Sequence, residues 1–262
     1  MKIDYQAPCQ LNPTKRFSNR VANYIKYRPS YPKKIIHTLK EDCGLTSASI
    51  VADVGSGTGI LSELFLKNGN GVFAVEPNKE MREAAEKLLL KYDNFKSING
   101  TAEETSLEQH SVDFVTAGQA FHWFHLEKAR QEFLRILKPN GWVVLIWSDR
   151  KTDATPFLKA YEELLNTFSI DYKKVDHKNL DEEVFRWFFR PHGFKMKIFE
   201  NMQVVDFEGF KGRLLSSSYV PMKGQPKYEA MMDELQTIFL NFQVDDKVKF
   251  KYDTKVYLGQ IR

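Results

Sequence analysis

The chain of 262 residues contains 42% hydrophobic and 27% charged residues, which is typical of a soluble globular protein. Its formal net charge of +4 is mild, and the lysines are scattered along predicted helices, so we expect no nucleic-acid-binding surface. No apolar run approaches the ~20 residues of a membrane span, and we therefore expect no membrane partner.

The predicted elements begin with two helices, at 19–27 and 33–40, separated by the segment Arg28-Pro29-Ser30-Tyr31-Pro32. Short apolar strands then alternate with helices of amphipathic period. The strands are predicted at 50–54, 72–76, 95–99, 112–117 and 142–147, and the helices at 59–68, 79–91 and 126–137. Five such strands predict an α/β protein with a doubly wound, parallel sheet and helices on both faces.

After residue 147 the alternation loosens. Helices are predicted at 155–168, 181–189, 207–216 and 228–242, and strands at 194–205 and 247–261. We expect one domain over 1–262. Its parts would be an N-terminal lid at 1–45, a cofactor-binding core at 46–149, a cap over the substrate at 150–225, and a last helix and strand at 226–262.

Two cysteines, Cys9 and Cys43, have no metal-ligand spacing around them. Free thiols are typical of a reducing compartment, so we expect a cytoplasmic protein. No two histidines and a carboxylate have the spacing of metal ligands, and we expect no bound metal.

The most informative motif is a glycine-rich bend between the first predicted strand and helix. The segment Asp53-Val54-Gly55-Ser56-Gly57-Thr58-Gly59 ends the strand, and a second strand ends in Glu76 about twenty residues later. This spacing brings backbone and one acid close to a ligand at the carboxyl edge of a sheet. The alternative is an ordinary glycine turn followed by an exposed glutamate.

The glycine segment and Ala74-Val75-Glu76-Pro77-Asn78 resemble the first two motifs of the class I S-adenosylmethionine-dependent methyltransferases. The resemblance implies S-adenosylmethionine as cofactor and a Rossmann-like, seven-stranded, mostly parallel sheet that ends in an antiparallel pair of strands. It also implies that Glu76 binds both ribose hydroxyls and that residues after the third strand bind adenine. The implied cofactor-binding residues are Tyr24, Asp53, Gly55, Ser56, Gly57, Gly59, Glu76, Pro77, Thr101, Ala102, Glu103, Gln119 and Ala120.

Part of this set has a structural alternative, since Thr101 and Glu104 also have the spacing of a helix capping box. A nicotinamide oxidoreductase is disfavoured, because Ile60 occupies the third glycine position of the dinucleotide fingerprint.

Three further segments, at 17–32, 119–124 and 214–219, resemble the trans-aconitate-methyltransferase-like group of small-molecule methyltransferases, which carry a methyltransferase type 11 domain. Base-modifying relatives carry Asn or Asp, two prolines and an aromatic residue after the fourth strand, where they hold a flipped base. This chain has Gln119-Ala120-Phe121-His122 there instead. The resemblance therefore implies a small-molecule acceptor and no nucleic acid.

Aromatic faces suit a sulfonium cation, and lid or loop aromatics could supply them or simply pack in the core. Arg28 is predicted to orient the carboxylate of substrate or cofactor, or merely to bridge the lid and the sheet. His122 is the candidate general base, although a carboxylate acceptor needs none and the ring could equally be a packed wall residue. The predicted acceptor-binding residues are Tyr27, Arg28, Tyr31, His122, Trp123, Trp147, Ser217 and Tyr219, with Arg28 and His122 as the catalytic pair.

We therefore expect an S-adenosylmethionine-dependent methyltransferase that acts by in-line displacement on a small acceptor, at a carboxylate or hydroxyl oxygen. The alternative is a non-catalytic regulatory protein that binds the same cofactor. A monomer or a weak homodimer is expected.

Overall fold

A computed structural model of the chain describes residues 18–172 and 180–262. Of the positions discussed above, Cys9 and the start of the 17–32 segment at Phe17 lie outside the described residues. The helices are α1 (Val21–Tyr27), α2 (Lys34–Cys43), α3 (Ile60–Leu66), α4 (Lys79–Leu89), α5 (Leu126–Ile136), α6 (Pro156–Phe168), α7 (Glu182–Phe188), α8 (Phe207–Leu215) and α9 (Tyr228–Phe242). The strands are β1 (Ile50–Val54), β2 (Gly71–Val75), β3 (Phe95–Ile98), β4 (Val112–Gly118), β5 (Leu137–Arg150), β6 (Lys195–Val205) and β7 (Val248–Gly259).

The seven strands form one sheet in the order β3-β2-β1-β4-β5-β7-β6. The pairs among β1 to β5 are parallel, whereas β7 runs antiparallel to both β5 and β6. The predicted α/β fold with a mostly parallel, seven-stranded sheet is confirmed. The strand order reverses between β1 and β4, and ligands of open α/β sheets bind at such a switch point, beyond the carboxyl ends of the strands.

Strand β5 is longer than its prediction at 142–147. It pairs with β4 on one side, and residues 148–150 continue the pairing with β7 on the other side. A strand with partners at both edges is extended by its neighbours, which a local apolar pattern does not reveal.

The predicted cap range contains both helices and a strand of the sheet. Strand β6 lies inside the predicted cap range 150–225 but belongs to the sheet. Conversely, α9 lies beyond that range and packs with α6 and α8 around a separate apolar core that includes Phe157, Phe210 and Met231. The name cap is used below for α6, α8 and α9, because these three helices share one buried cluster.

Among the helices of the described ranges, none is long and apolar enough to cross a membrane.

Candidate functional site

The glycine-rich bend lies at the carboxyl end of β1, beside the end of β2. The backbone N–H groups of Gly55 and Ser56 both donate to the carbonyl of Val75, at 2.9 and 3.1 Å. Gly55 has φ +69°, and a Cβ there would lie 2.6 Å from the Cβ of Ala120. Glycine is therefore required at this position both for the turn and for the close approach of the loop after β4.

Gly57 differs from Gly55, since a Cβ on it would meet no atom within 4 Å. Its φ of +57° favours glycine, and its open side faces a cleft. The backbone is thus held in a conformation that leaves room for a ligand to lie directly against it.

Glu76 holds this bend from the end of β2. Its Oε2 accepts a hydrogen bond from the Gly57 N–H and its Oε1 accepts one from the Asn78 N–H, both at 2.8 Å. The residue is only 9% exposed. Burial raises the pKa of the Glu76 carboxyl, although the two N–H donors oppose that shift.

Asp53 is fully buried at the floor of the cleft, near the end of β1. The hydroxyls of Ser62 and Thr116 donate to its two oxygens at 2.6 and 3.2 Å. Burial raises the pKa of Asp53 to about 6, against the effect of these hydrogen bonds. A buried carboxylate of this kind is an attractive partner for a cationic ligand group, because binding a cation offsets its loss of hydration.

The cleft has a volume of about 610 Å³, counting the space open to solvent. It lies between the glycine bend, the N-terminal segment, the loop after β4 and the cap. Its walls are Tyr24, Arg28, Pro29, Tyr31, Asp53, Gly55, Ser56, Gly57, Thr58, Ile60, Leu61, Gly118, Gln119, Ser148, Arg213 and Tyr252.

The N-terminal segment contributes one cation and two aromatic rings. The Arg28 guanidinium lies over the ring of Tyr24, 4.8 Å from its centroid, and one Nη donates to the carbonyl of Ser216 at 3.0 Å. The Nε of Arg28 is buried without a hydrogen-bond partner among the described residues. The Tyr31 hydroxyl closes on the loop after β4, where it would lie 2.5 Å from a Cβ at Gly118. Both predicted functions of Arg28 are thus compatible with its position, since it bridges the segment to the cap and also lines the cleft.

The cleft residues that the sequence analysis missed include Arg213 on α8 and Tyr252 on β7. Arg213 is 6% exposed, and its Nε donates to the Tyr252 hydroxyl at 3.2 Å. Burial opposes the charge of Arg213, but the phenol oxygens of Tyr252, Tyr161 and Tyr219 outweigh that cost and raise its pKa. A signal was present, because the helical period places Arg213 on the face of Phe210 and Leu214, where a charge requires a partner.

Four aromatic or histidine residues predicted for the acceptor pocket do not line the cleft. Trp147 is 2% exposed and packs edge-on against Phe121 in the core beneath the sheet edge. Tyr27 packs against α8, since a Cβ at Gly212 would lie 2.0 Å from its ring. His122 and Trp123 form a short 3-10 helix with ring centroids 4.9 Å apart, and neither lines the cleft.

The other predicted residues also do not line the cleft. The Thr101 hydroxyl accepts from the Glu104 N–H, but the predicted helix does not form between β3 and β4, and an oxygen of Glu103 accepts from the His125 N–H. Ser217 is fully buried, and the ring of Tyr219 lies against that of Tyr172. Gly59, Glu76, Pro77, Ala102 and Ala120 complete the set of predicted residues that do not line the cleft, and Glu76 reaches it through its hydrogen bond to Gly57.

The residues present fit S-adenosylmethionine. The open side of Gly57 is a space that a Cβ would fill, and the buried hydroxyls of Ser56 and Thr58 have no hydrogen-bond partner in the described part of the chain. Asp53 suits the ammonium group of such a ligand, and the face of Tyr24 or Tyr31 suits its sulfonium. No group of three or more His, Cys, Asp or Glu residues within 18–172 and 180–262 has the geometry to hold a metal ion.

Comparisons with known proteins agree with this geometry. Residues 52–145 match the family model of the methyltransferase domain. An uncharacterized methyltransferase of Schizosaccharomyces pombe is 29% identical over 252 residues, which cover 93% of this chain and 96% of that protein. An uncharacterized methyltransferase of Mycobacterium tuberculosis is 37% identical over 134 residues, which cover 51% of this chain and 52% of that protein.

Solved structures show the same fold. A proposed type II methyltransferase from Anaeromyxobacter dehalogenans superposes with a TM-score of 0.67 at 20% identity, over 90% of this chain and 98% of that one. A phosphoethanolamine N-methyltransferase of Haemonchus contortus, bound to S-adenosylhomocysteine, matches with a TM-score of 0.53 at 15% identity, over 95% of this chain and 59% of that one. Residues 52–145 therefore form a methyltransferase domain, and the sheet order and the solved structures show the fold of the class I S-adenosylmethionine-dependent methyltransferases.

Proposed function

We propose that this methyltransferase transfers its methyl group to an oxygen of a small acceptor that bears a carboxylate or a hydroxyl group. The observation that carries this proposal is the position of Arg28, which faces the same cleft as the glycine bend and has a buried, unpartnered Nε among the described residues. A guanidinium with a free N–H at a pocket wall recognises a carboxylate by charge-assisted hydrogen bonds.

The bound cofactor supplies an electrophilic methyl carbon on a sulfonium. The residues of this chain have to align the attacking oxygen with that carbon and to exclude water. Tyr24, Arg28 and Tyr31 would do this from the N-terminal segment, which lines the same cleft as Gly57. The trans-aconitate-methyltransferase-like group remains the subgroup that we propose.

A carboxylate is favoured over a hydroxyl as the attacking group, because only the hydroxyl has to lose a proton in the reaction. A carboxyl group has an ordinary pKa near 4 and is already ionised at neutral pH, so its methylation releases no proton. A hydroxyl would need a base, and none of the cleft residues named above is a histidine. His122, the predicted base, is buried next to Trp123 outside the cleft wall. Proton removal by His122 is therefore not part of the proposed mechanism.

The test is methyl transfer from methyl-labelled S-adenosylmethionine to a panel of small mono- and dicarboxylic acids, hydroxy acids and phenols. A carboxyl methyl ester releases its label as methanol in mild alkali, whereas a methyl ether does not. Alkali-labile label in the acid-containing reactions, lost in the Arg28→Met variant, is the expected result.

Two other outcomes would contradict the proposal. Label that appears only on amines or on carbon would show a methyltransferase of another acceptor class. Tight binding of S-adenosylhomocysteine with no transfer to any acceptor would favour the non-catalytic, cofactor-binding alternative instead.

A further inference from the structure

The N-terminal segment, residues 18–31, is attached to a different part of the protein on each side of the cleft. On the cap side, Tyr27 packs against Gly212 of α8, and its carbonyl accepts a hydrogen bond from the side chain of Gln203 at 2.8 Å. On the other side, α1 contacts α4, which follows the end of β2. Tyr24 lies in α1 and lines the cleft. Because α1 contacts elements on both sides, it closes this part of the cleft.

Ser18 links the N-terminal segment to the start of α4. Its Oγ donates to Oε2 of Glu80 at 2.8 Å and accepts a hydrogen bond from Nδ2 of Asn78 at 2.9 Å. These two hydrogen bonds form the Ser18 contact. The N–H of Glu80 itself, followed by the Ser18 hydroxyl, lowers the pKa of the Glu80 carboxyl, so the acceptor is ionised at neutral pH. The bond to Glu80 is exposed, and water can therefore replace it when the contact opens.

Asn78 connects the Ser18 contact to the acid that holds the glycine bend. Asn78 is 4% exposed, and its backbone N–H donates to Oε1 of Glu76 at 2.8 Å. Its Oδ1 accepts from the N–H of Met81 in the first turn of α4 at 2.9 Å, which fixes the orientation of the side-chain amide. The Nδ2 of that amide is the group that donates to Ser18. One residue thus joins Glu76, the start of α4 and the N-terminal segment.

The attachment on the cap side is stronger than the Ser18 contact. Arg20 is 5% exposed and donates to three carbonyls that lie at or just after the end of α8. The side chain of Asn201 on β6 donates to the carbonyl of Ser30 at 2.8 Å. The Ser18 contact has two hydrogen bonds, and one of them is exposed. When the cleft opens, the Ser18 contact should therefore break first, and α1 should move together with the cap.

We propose that Ser18, Asn78 and Glu80 position the N-terminal segment against α4 and thereby control the exchange of the cofactor. Opening of the Ser18 contact lets S-adenosylmethionine enter and S-adenosylhomocysteine leave, whereas its closure fixes the wall that carries Tyr24 and Arg28. None of the three residues lines the cleft, so each acts as a positioning residue and not as a ligand contact. The inference concerns cofactor exchange and does not depend on the acceptor proposed above.

The experiment measures the rate at which tritium-labelled S-adenosylhomocysteine leaves the protein after an excess of unlabelled ligand is added. We expect Ser18→Ala to raise this dissociation rate by about 3- to 10-fold, because the closed form loses its hydrogen bonds to α4. Ser18→Thr keeps the hydroxyl and should restore the wild-type rate. Ser97→Ala is the matched control and should leave the rate unchanged. The Ser97 hydroxyl also donates to a glutamate of α4, Glu86, at 2.7 Å in an exposed bond, but this bond does not involve the N-terminal segment.

A second set of measurements separates an effect on exchange from an effect on the fold. Ser18→Ala and Ser97→Ala should both keep the Tm of the ligand-free protein within about 2 °C of the wild type, since each removes only surface hydrogen bonds. The association rate constant of Ser18→Ala should be equal to or higher than that of the wild type, because the ligand enters the open form. Glu80→Gln keeps an acceptor oxygen and should raise the dissociation rate less than Ser18→Ala does.

Three results would overturn the proposal. The first is a dissociation rate of Ser18→Ala within about 2-fold of the wild type, and the second is an equal rise in Ser97→Ala. The third is a faster dissociation that Ser18→Thr does not reverse or that accompanies a fall in Tm of more than about 5 °C, which would assign the effect to the fold. None of these measurements needs methyl transfer, so their failure leaves the labelling test of the proposed function standing.

Discussion

The Oε2 atom of Glu76 lies 2.8 Å from the backbone nitrogen of Gly57, so the acid at the end of one strand holds the bend that follows its neighbour. The second oxygen accepts from Asn78 in the same way. Backbone donors thus fix the carboxylate at the edge of the cleft before any ligand binds. Such preorganisation lowers the cost of binding, because no side chain has to be ordered at that moment.

The first prediction concerns Glu76 itself. Hydrogen bonds to a charged group contribute about 1.5–3 kcal/mol, so we expect Glu76→Ala to weaken the binding of S-adenosylhomocysteine by about 10- to 100-fold. Isothermal titration calorimetry measures this change, and circular dichroism checks that the variant is folded. Glu76→Gln retains one acceptor oxygen and should lose less affinity than Glu76→Ala. An affinity that is equal in all three proteins would exclude Glu76 from the cofactor site.

The second prediction uses two glycines that share a conformation but not a location. Gly57 and Gly44 both have positive φ, at +57° and +69°, and a Cβ on either would meet no atom within 4 Å. Alanine at each site should therefore cost a similar free energy of unfolding, about 1–2 kcal/mol, because the left-handed conformation is strained for alanine.

Only Gly57 lines the cleft. We expect Gly57→Ala to reduce the affinity for S-adenosylhomocysteine by at least about 10-fold and Gly44→Ala to leave it unchanged. Urea unfolding and calorimetry on the two variants provide both readouts. Equal losses of affinity in the two variants would mean that the effect comes from stability and that Gly57 is not a contact.

The third prediction follows from the raised pKa of Asp53, which is about 6 in the folded protein against an ordinary 3.8. Between these values the unfolded chain ionises while the folded protein keeps the proton. The free energy of unfolding of the wild type should therefore fall, relative to Asp53→Asn, by about 2 kcal/mol as the pH rises from about 4 to about 6. Denaturant unfolding at a series of pH values gives the difference curve.

Cofactor binding supplies an independent check on Asp53. If its carboxylate binds the ammonium group of the ligand, binding at pH 6 releases a proton from the fraction of Asp53 that is protonated. Calorimetry in two buffers of different ionisation enthalpy should reveal that release in the wild type but not in Asp53→Asn. The same heat in both buffers for the wild type would contradict the contact.

The fourth prediction concerns the contact between the N-terminal segment and the turn that follows α8. Arg20 is 5% exposed and donates to the carbonyls of Leu215, Ser217 and Val220 at 2.9, 2.6 and 2.6 Å. Arg20→Met leaves these acceptors without that donor, and we expect the free energy of unfolding to fall by about 3–5 kcal/mol. Differential scanning calorimetry measures the loss, with Arg186→Met as the exposed control. A loss below about 1 kcal/mol would show that water replaces Arg20 at these carbonyls.

The sequence was sufficient to predict the parts of the site that come from one continuous stretch. The glycine bend and Glu76 belong to a single strand–helix–strand unit, whose spacing fixes where the acid ends up. Arg28 and Tyr24 lie in the 17–32 segment, whose resemblance to the small-molecule group suggested them. In each case a local pattern carries the information.

The residues that were missed or misplaced depend on contacts between distant segments. The position of Arg213 depends on the pairing of β7 with β5, because β7 carries Tyr252, the hydrogen-bond partner of Arg213. The periodicity of the sequence does not determine the register of that pairing. Trp147, the last residue of the strand predicted at 142–147, was expected in the pocket. Its side chain instead packs edge-on against the rings of Phe121 and Phe185, which lie in two separate segments.

The close contact of Tyr27 with Gly212 joins α1 to α8 with no space for another atom, and Arg20 binds the turn that follows α8. The N-terminal segment, which carries Arg28, and α8, which carries Arg213, are consequently joined by these contacts. Neither can tilt without the other. A change of acceptor preference that requires a wider mouth must therefore come from side-chain replacement along the cleft. Rotating α1 away from α8 would break the contacts that keep both arginines in position.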